Sequence, residues 1–128
     1  MSDLFPASTP ALARLRRELA PAPAAAFHAF GEAVFADGAL PAKTKQIIAV
    51  AVAHVTQCPY CIKGHTRLAL SSGATRQELM EAIWVAAEMR AGGTFAHSLI
   101  ALAEMDGTQA LGADDQHSHA RQAESVDG

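Results

Sequence analysis

Hydrophobic residues recur at helical spacing along most of the chain, and prolines, glycines or capping residues separate the stretches in which they recur. Thr9-Pro10 is typical of a helix start, and the first helix is predicted to end near Leu19. The second is predicted from about Pro23 to Phe35, before the breaker Asp37-Gly38. Its apolar stripe consists of Phe27, Phe30, Val34 and Phe35.

Residues 41–57, PAKTKQIIAVAVAHVTQ, form the third segment. Several of its residues are β-branched, so a buried strand is the alternative. Its length and its alanines favour a helix over an ordinary strand. Because this helix is apolar nearly all round, we expect it to be buried on most sides.

The second half of the chain predicts three further helices and a tail. The fourth begins within a cysteine motif and ends at residues 71–73, and a capping-box pattern, Thr75 to Glu78, opens the fifth. Gly92-Gly93 is expected to end the fifth helix, and a sixth is predicted over residues 94–105. We therefore predict one helical domain, residues 1–111, and a polar, disordered tail, residues 112–128.

Composition supports an all-α fold and argues against some partners. Half of the residues are hydrophobic but only 5% are aromatic, because alanine supplies much of the apolar share, which favours a compact bundle of about six close-packed helices. The net charge of -3, without a basic stripe, argues against nucleic acid and anionic membranes as partners. We see no spanning segment and no secretory signal, so a cytoplasmic location is expected.

The stretch QCPYCIKGH, residues 57–65, contains both cysteines of the chain. With Cys58 at a helix N-terminus, unpaired N–H groups and the helix dipole would stabilise its thiolate. Cys61 is close enough to resolve an oxidised sulfur within the chain. His65 follows Cys61 by one helical turn and shares its face, which suits proton transfer.

Two residues of the third helix are further candidates. His54 precedes Cys58 by four positions and Gln46 precedes His54 by eight. If that helix runs straight, Gln46, His54 and Cys58 lie roughly on one side of it.

Two other interpretations of the motif remain open. Cys58, Cys61, His65 and His54 could bind zinc, although structural zinc sites usually draw their second ligand pair from a distant segment. The cysteines could also be inert core residues. No organic cofactor is implied.

The segments LPAKTKQIIAVAVAHVTQCPYCIKGHTRLAL and GATRQELMEAIWVAAEMRAGG resemble the alkylhydroperoxidase D branch of the carboxymuconolactone decarboxylase-like superfamily. The resemblance covers about Leu40 to Met105 and implies an all-helical fold that forms homotrimers or homohexamers. It implies a thiol-dependent peroxidase, or a disulfide reductase serving a peroxiredoxin, with Cys58 and Cys61 as the redox pair and His65 as its histidine. A lipoylated or thioredoxin-like dithiol protein would re-reduce the pair.

One position departs from the family pattern, which has a glutamate twelve residues before the first cysteine. Gln46 stands there and cannot take a proton at neutral pH. Either His54 supplies the base, or peroxidase turnover is weak and the protein works mainly in thiol–disulfide exchange. We hypothesise that His54 replaces this carboxylate. The shared face with His65 favours Cys61 as the attacking thiol and Cys58 as the resolving one, whereas the helix N-terminus favours Cys58 as the more acidic.

Two functional alternatives to redox chemistry remain. One is a non-redox enzyme of the superfamily that acts on a lactone or similar ring. The other is a zinc-stabilised helical interaction protein.

Overall fold

The computed structural model describes the backbone of residues 4–124 and the side chains of residues 4–107. Five α-helices account for most of the described chain, which contains no strand, so the all-α prediction is confirmed. The helices are α1 (Pro10–Leu19), α2 (Pro21–Phe35), α3 (Ala42–Thr56), α4 (Pro59–Ser71) and α5 (Arg76–Glu124).

The chain divides into two units, Met1–Glu88 and Met89–Gly128. The first contains α1 to α4 and the start of α5, and the second contains the rest of α5. The candidate site described below lies wholly within the first unit.

The predicted helix break at Gly92-Gly93 is wrong, because α5 continues through both glycines and the predicted fifth and sixth helices are one. Each glycine costs only about 1 kcal/mol in a helix, which good helix formers on either side offset. The Thr94 hydroxyl also donates to the Arg90 carbonyl at 3.2 Å. The backbone of α5 also continues beyond the predicted end of the sixth helix at residue 105, as far as Glu124. Side chains beyond residue 107 and the backbone of residues 125–128 lie outside the described part of the chain, so the predicted division into a domain and a tail stays a prediction.

The core of the first unit forms where α3 meets α4 and the start of α5. Val50 and Ala69 are fully buried and pack with Ala74 and Leu79. Most residues of α3 are buried or half-buried, as expected, but one side of the helix is open, and Val52 on that side is 50% exposed. That open side of α3 lines the pocket described below.

The connection between α3 and α4 turns sharply at Gln57. This residue has the left-handed φ of 56°, and its N–H bonds to the Ala53 carbonyl, as the Cys58 N–H also does at 3.2 Å. These bonds satisfy a helix-end carbonyl and end α3 at Thr56. The backbone is thereby redirected immediately before the cysteine motif.

The predicted capping box at the start of α5 is confirmed. The Thr75 N–H donates to Glu78 at 2.9 Å, and the Glu78 N–H donates to the Thr75 hydroxyl at 3.0 Å. Glu78 also pairs with Lys43 of α3 at 3.2 Å, which ties the start of α5 to the start of α3.

We expect Glu78→Gln to lower the melting temperature at neutral pH and to change its pH dependence. The backbone hydrogen bond from Thr75 and the nearby Lys43 hold the pKa of Glu78 below its ordinary value of 4.5. A lowered folded-state pKa stabilises the fold above the unfolded-state pKa, and this stabilisation disappears as the pH falls through the folded-state pKa. Melting curves of the two proteins should therefore differ at pH 7 and converge in acid, and a constant difference across this range would contradict the prediction.

Candidate functional site

Cys58 and Cys61 are joined by a disulfide at the start of α4, with their Cα atoms 5.2 Å apart. Cys58 is the N-cap of this helix, and its sulfur accepts the Cys61 N–H at 3.2 Å. Pro59 occupies the first helical position, where a missing N–H costs little. The predicted location of Cys58 at a helix N-terminus is confirmed, and unpaired N–H groups there favour negative charge on its sulfur after reduction.

His65 lies one turn after Cys61 on α4 and contacts Gln46 of α3. The distance from His65 Nδ1 to Gln46 Oε1 is 2.8 Å, and Gln46 is buried, with only 7% of its surface exposed. Because an amide oxygen can only accept, Nδ1 carries the proton and donates it, which leaves Nε2 as the ring nitrogen that can take up a proton. Gln46 therefore fixes the tautomer of the histidine that shares a helix face with Cys61.

Phe35, the last residue of α2, stacks on the ring of His65. The ring centroids are 5.2 Å apart and the ring planes are inclined by 27°. Sequence reasoning placed Phe35 in the apolar stripe of its helix and missed this contact. Helical spacing groups such residues on one face of the helix, but it does not show which side chain each of them contacts.

A largely apolar pocket of about 400 Å³ opens beside the disulfide. Of the two cysteines, Cys61 lines it, together with His65. The other lining residues are Val34, Phe35, Lys45, Ile48, Ala49, Val52, Ala53 and Thr56. Cys61 and His65 thus border an open apolar pocket whose other walls come from α2 and α3.

His54 does not join this cluster in the way the straight-helix assumption required. Because α3 ends at Thr56 and the chain turns at Gln57, His54 and Cys58 do not lie on one continuous helix. His54 Nδ1 instead donates to the Val50 carbonyl of its own helix at 2.7 Å. A role for His54 as replacement for the family glutamate stays a prediction, which titration of thiolate absorbance in His54→Ala tests.

Tyr60, between the two cysteines, holds the N-terminal segment. Its hydroxyl donates to the Pro6 carbonyl at 2.7 Å, and its ring meets Phe5 edge-on with centroids 6.3 Å apart. The sequence carries no signal for this contact, because it joins segments far apart in the chain.

In the part of the chain that the structure describes, no three His, Cys, Asp or Glu side chains are grouped so as to hold a metal ion. None of the described helices has the length and apolar character needed to cross a membrane.

Two curated relatives share substantial identity with this chain. The chain is 64% identical over 81 residues to uncharacterized protein 4 in the cox locus of Paracoccus denitrificans, covering 63% of this chain and 73% of that protein. It is 39% identical over 90 residues to an uncharacterized protein of Cupriavidus necator, covering 70% and 80% of the two chains.

Two solved structures and one family model match this chain. The apo form of a carboxymuconolactone decarboxylase family protein from Legionella pneumophila matches with a TM-score of 0.57 and 41% identity, over 61% of this chain and 69% of that chain. A protein from Methanobacterium thermoautotrophicum matches with a TM-score of 0.60 and 38% identity, over 63% and 91%. The model of the carboxymuconolactone decarboxylase family matches residues 21–104, which include the disulfide, His65 and Gln46. The resemblance to this superfamily noted in the sequence is therefore confirmed, and the chain belongs to the carboxymuconolactone decarboxylase family.

Proposed function

We propose that this protein is a thiol-dependent peroxidase or disulfide oxidoreductase of the alkylhydroperoxidase D type. The observation that carries the proposal is the Cys58–Cys61 disulfide at a helix N-terminus, with His65 one turn further along the same helix. Both thiols of the pair are needed for such chemistry, and a non-redox ring-opening or decarboxylating enzyme has no use for them. The histidine supplies the proton transfer that peroxide cleavage requires.

The pocket supports Cys61 as the thiol that attacks the peroxide. Cys61 and His65 both line it, and the walls around them are mainly aliphatic and aromatic. Apolar walls favour a hydroperoxide with a hydrocarbon body, whose burial contributes about 25 cal/mol per Å². An organic hydroperoxide is therefore the proposed oxidant.

The reaction begins with reduced cysteines. The Cys61 thiol gives its proton to Nε2 of His65, and the thiolate attacks the terminal peroxide oxygen. The O–O bond breaks, Cys61 becomes a sulfenic acid, and the departing alkoxide takes the proton from His65 to leave as an alcohol. The Cys58 thiolate then attacks the Cys61 sulfur, the S–S bond forms, and hydroxide leaves as water after gaining the proton lost by Cys58.

A dithiol protein closes the proposed cycle by thiol–disulfide exchange. Its first thiolate attacks the Cys58–Cys61 disulfide and forms a mixed disulfide with one cysteine. Its second thiolate then attacks the mixed disulfide, which leaves Cys58 and Cys61 reduced and the partner protein with a disulfide of its own. A lipoylated or thioredoxin-like protein in the cytoplasm has the required chemistry. Gln46 accepts a hydrogen bond from His65 but cannot take a proton at neutral pH. Thiol–disulfide exchange is compatible with this arrangement, because it does not need a proton acceptor at the Gln46 position.

Thiol counting tests the proposed function. One equivalent of cumene hydroperoxide added to reduced protein should remove both free thiols, and a dithiol reductant should restore them. Persistence of both thiols with peroxide and with a dithiol-derived disulfide would reject the redox proposal. Stoichiometric zinc in the purified protein, measured by metal analysis, would instead support the zinc alternative.

We also infer that the chain forms a homotrimer or homohexamer, as the family resemblance implies. In the second unit, Phe95 is 82% exposed and Leu99 is 70% exposed, and Leu102 continues their stripe along α5. Patches of large apolar residues on this scale are rarely left in water. A second copy of the chain is the partner we propose for this stripe.

Leu99→Glu is expected to lower the sedimentation coefficient toward that of a monomer, because it introduces charge into the centre of the stripe. His97→Glu, which introduces the same charge on the opposite side of the helix, serves as the control and should leave assembly intact. A wild-type protein that sediments as a stable monomer at micromolar concentration would refute the inference.

A further inference from the structure

Phe35 stands between the reactive pocket and a second cavity. The second cavity has a volume of about 1060 Å³ and lies along α1 and α2. Val34, Phe35 and His65 line both cavities. Since Phe35 and His65 are stacked on each other, this ring pair forms part of the wall that separates the two spaces.

Lys45 holds the end of α2 on which Phe35 lies. Its ammonium donates to the Val34 carbonyl at 2.8 Å and to the Ala36 carbonyl at 2.6 Å, the two carbonyls on either side of Phe35. The last carbonyls of a helix lack partners within it, and a cation at this end is favourable. Lys45 thus fixes the backbone from which the Phe35 ring projects.

Neighbouring residues of α3 therefore restrain both rings. Gln46 holds Nδ1 of His65, and Lys45 holds the backbone around Phe35. A single hydrogen bond restrains one edge of an imidazole but leaves the ring free to tilt about that bond. The stacked Phe35 ring covers one face of the imidazole and limits this tilt.

We propose that Phe35 is a positioning residue for His65 and that Lys45 acts through Phe35 in the same role. The proposal rests on the function proposed above for its kinetic consequence, whereas its structural content is independent of that function. Loss of either residue allows the imidazole to tilt away from the orientation in which Nε2 can take the proton of the Cys61 thiol. Misplacement of a reacting group by about 1 Å lowers rates by about a hundredfold, so a partial release should cost about tenfold or more.

Four variants of the full chain test this proposal. Phe35→Leu keeps an apolar wall but removes the stack, and Lys45→Met keeps the length of the side chain but removes its donors. Lys45→Arg retains a charged donor and should therefore retain the wild-type rate and the stacking of Phe35 on His65. Phe27→Leu, the same substitution at an exposed position of α2, is the matched control.

Two readouts separate positioning from other effects. The first is the rate of thiol loss from reduced protein with hydrogen peroxide and with cumene hydroperoxide, which differ in size. The second is the NMR shift of the carbon-bound imidazole protons of His65, which the ring current of a stacked phenylalanine moves upfield. The NMR signal reports the stack whether or not the protein consumes peroxide.

We expect Phe35→Leu and Lys45→Met to lose the upfield shift and to react about tenfold more slowly with both peroxides, while Lys45→Arg and Phe27→Leu resemble the wild type. Wild-type imidazole shifts in Lys45→Met and Phe35→Leu would overturn the proposal, as would a loss of rate confined to cumene hydroperoxide. If the wild type consumes no peroxide and exchanges no disulfide, the proposed function fails, and the imidazole shifts alone decide the inference.

Discussion

Cys61→Ser is expected to abolish hydroperoxide reduction, because Cys61 is the cysteine that lines the apolar pocket beside His65. Serine retains the shape of the side chain but is not acidic enough to form the attacking anion. The remaining thiol, Cys58, caps α4 and is predicted to react through disulfide exchange and not with peroxide directly. Stopped-flow measurement of peroxide consumption by the reduced variant should show only the uncatalysed rate.

Cys58→Ser should behave differently from Cys61→Ser. Peroxide should still oxidise Cys61 once, but no disulfide can form, so the protein should stop after one turnover. Mass spectrometry should then detect one added oxygen on Cys61, or its adduct with a sulfenic-acid reagent. Ile62→Val, which changes one methyl group in the same helical turn, controls for general disturbance.

The opposite pattern would reverse the assignment of the two thiols. A single turnover in Cys61→Ser, with none in Cys58→Ser, would make Cys58 the attacking cysteine, as its helix N-terminal location alone would suggest. Equal full activity in both variants would remove the cysteine pair from the reaction altogether.

Local sequence signals were sufficient for the parts of this structure that local interactions determine. Thr9 caps α1, Cys58 lies at the N-terminus of α4, and Thr75 and Glu78 form the capping box, each as predicted. In each case a side chain bonds to a backbone group within a few residues, so the spacing alone defines the contact.

The features that the sequence did not predict are contacts between distant segments and a backbone turn at an unusual residue. Phe35 reaches His65, and Lys45 reaches the end of α2, only because α2, α3 and α4 pack together. The left-handed residue Gln57 was also not foreseen, since glycine or asparagine usually occupies such a position. That turn separates His54 from Cys58 and removes the straight-helix basis on which the two were grouped.

The sequence identifies Gln46 only as a candidate at the position of the family glutamate, whereas the structure gives it a specific partner, His65. Because glutamine cannot take a proton at neutral pH, the sequence pattern suggests His54 as a substitute for the family glutamate. The contact between Gln46 and His65 shows that the position still serves the histidine through its oxygen. Glutamine in place of the glutamate of the family pattern changes only the charge beside the imidazole of His65.

His65→Asn is expected to lower the rate of thiol loss with cumene hydroperoxide by about 10²- to 10³-fold, because a positioned acid–base group typically contributes 10²–10⁴. Asparagine can still bond to Gln46 but cannot take the thiol proton or return it to the alkoxide. The fold should survive, since His65 lies outside the small buried core. Stopped-flow rates with both cysteines reduced, compared with those of the exposed His97→Asn control, measure the effect.

Variants of Gln46 show whether the contribution of His65 depends on its orientation or on added charge. Gln46→Leu removes the acceptor of Nδ1–H and should slow the reaction by about tenfold, and the unpaired donor should cost about 1–3 kcal/mol of stability. Gln46→Glu keeps the acceptor and adds a charge that stabilises the protonated imidazole, so it should favour transfer of the Cys61 thiol proton to His65 and accelerate thiolate formation. If Gln46→Leu reacts as fast as the wild type while His65→Asn does not, the histidine acts without its partner, and the amide serves only to fill the space between α3 and α4.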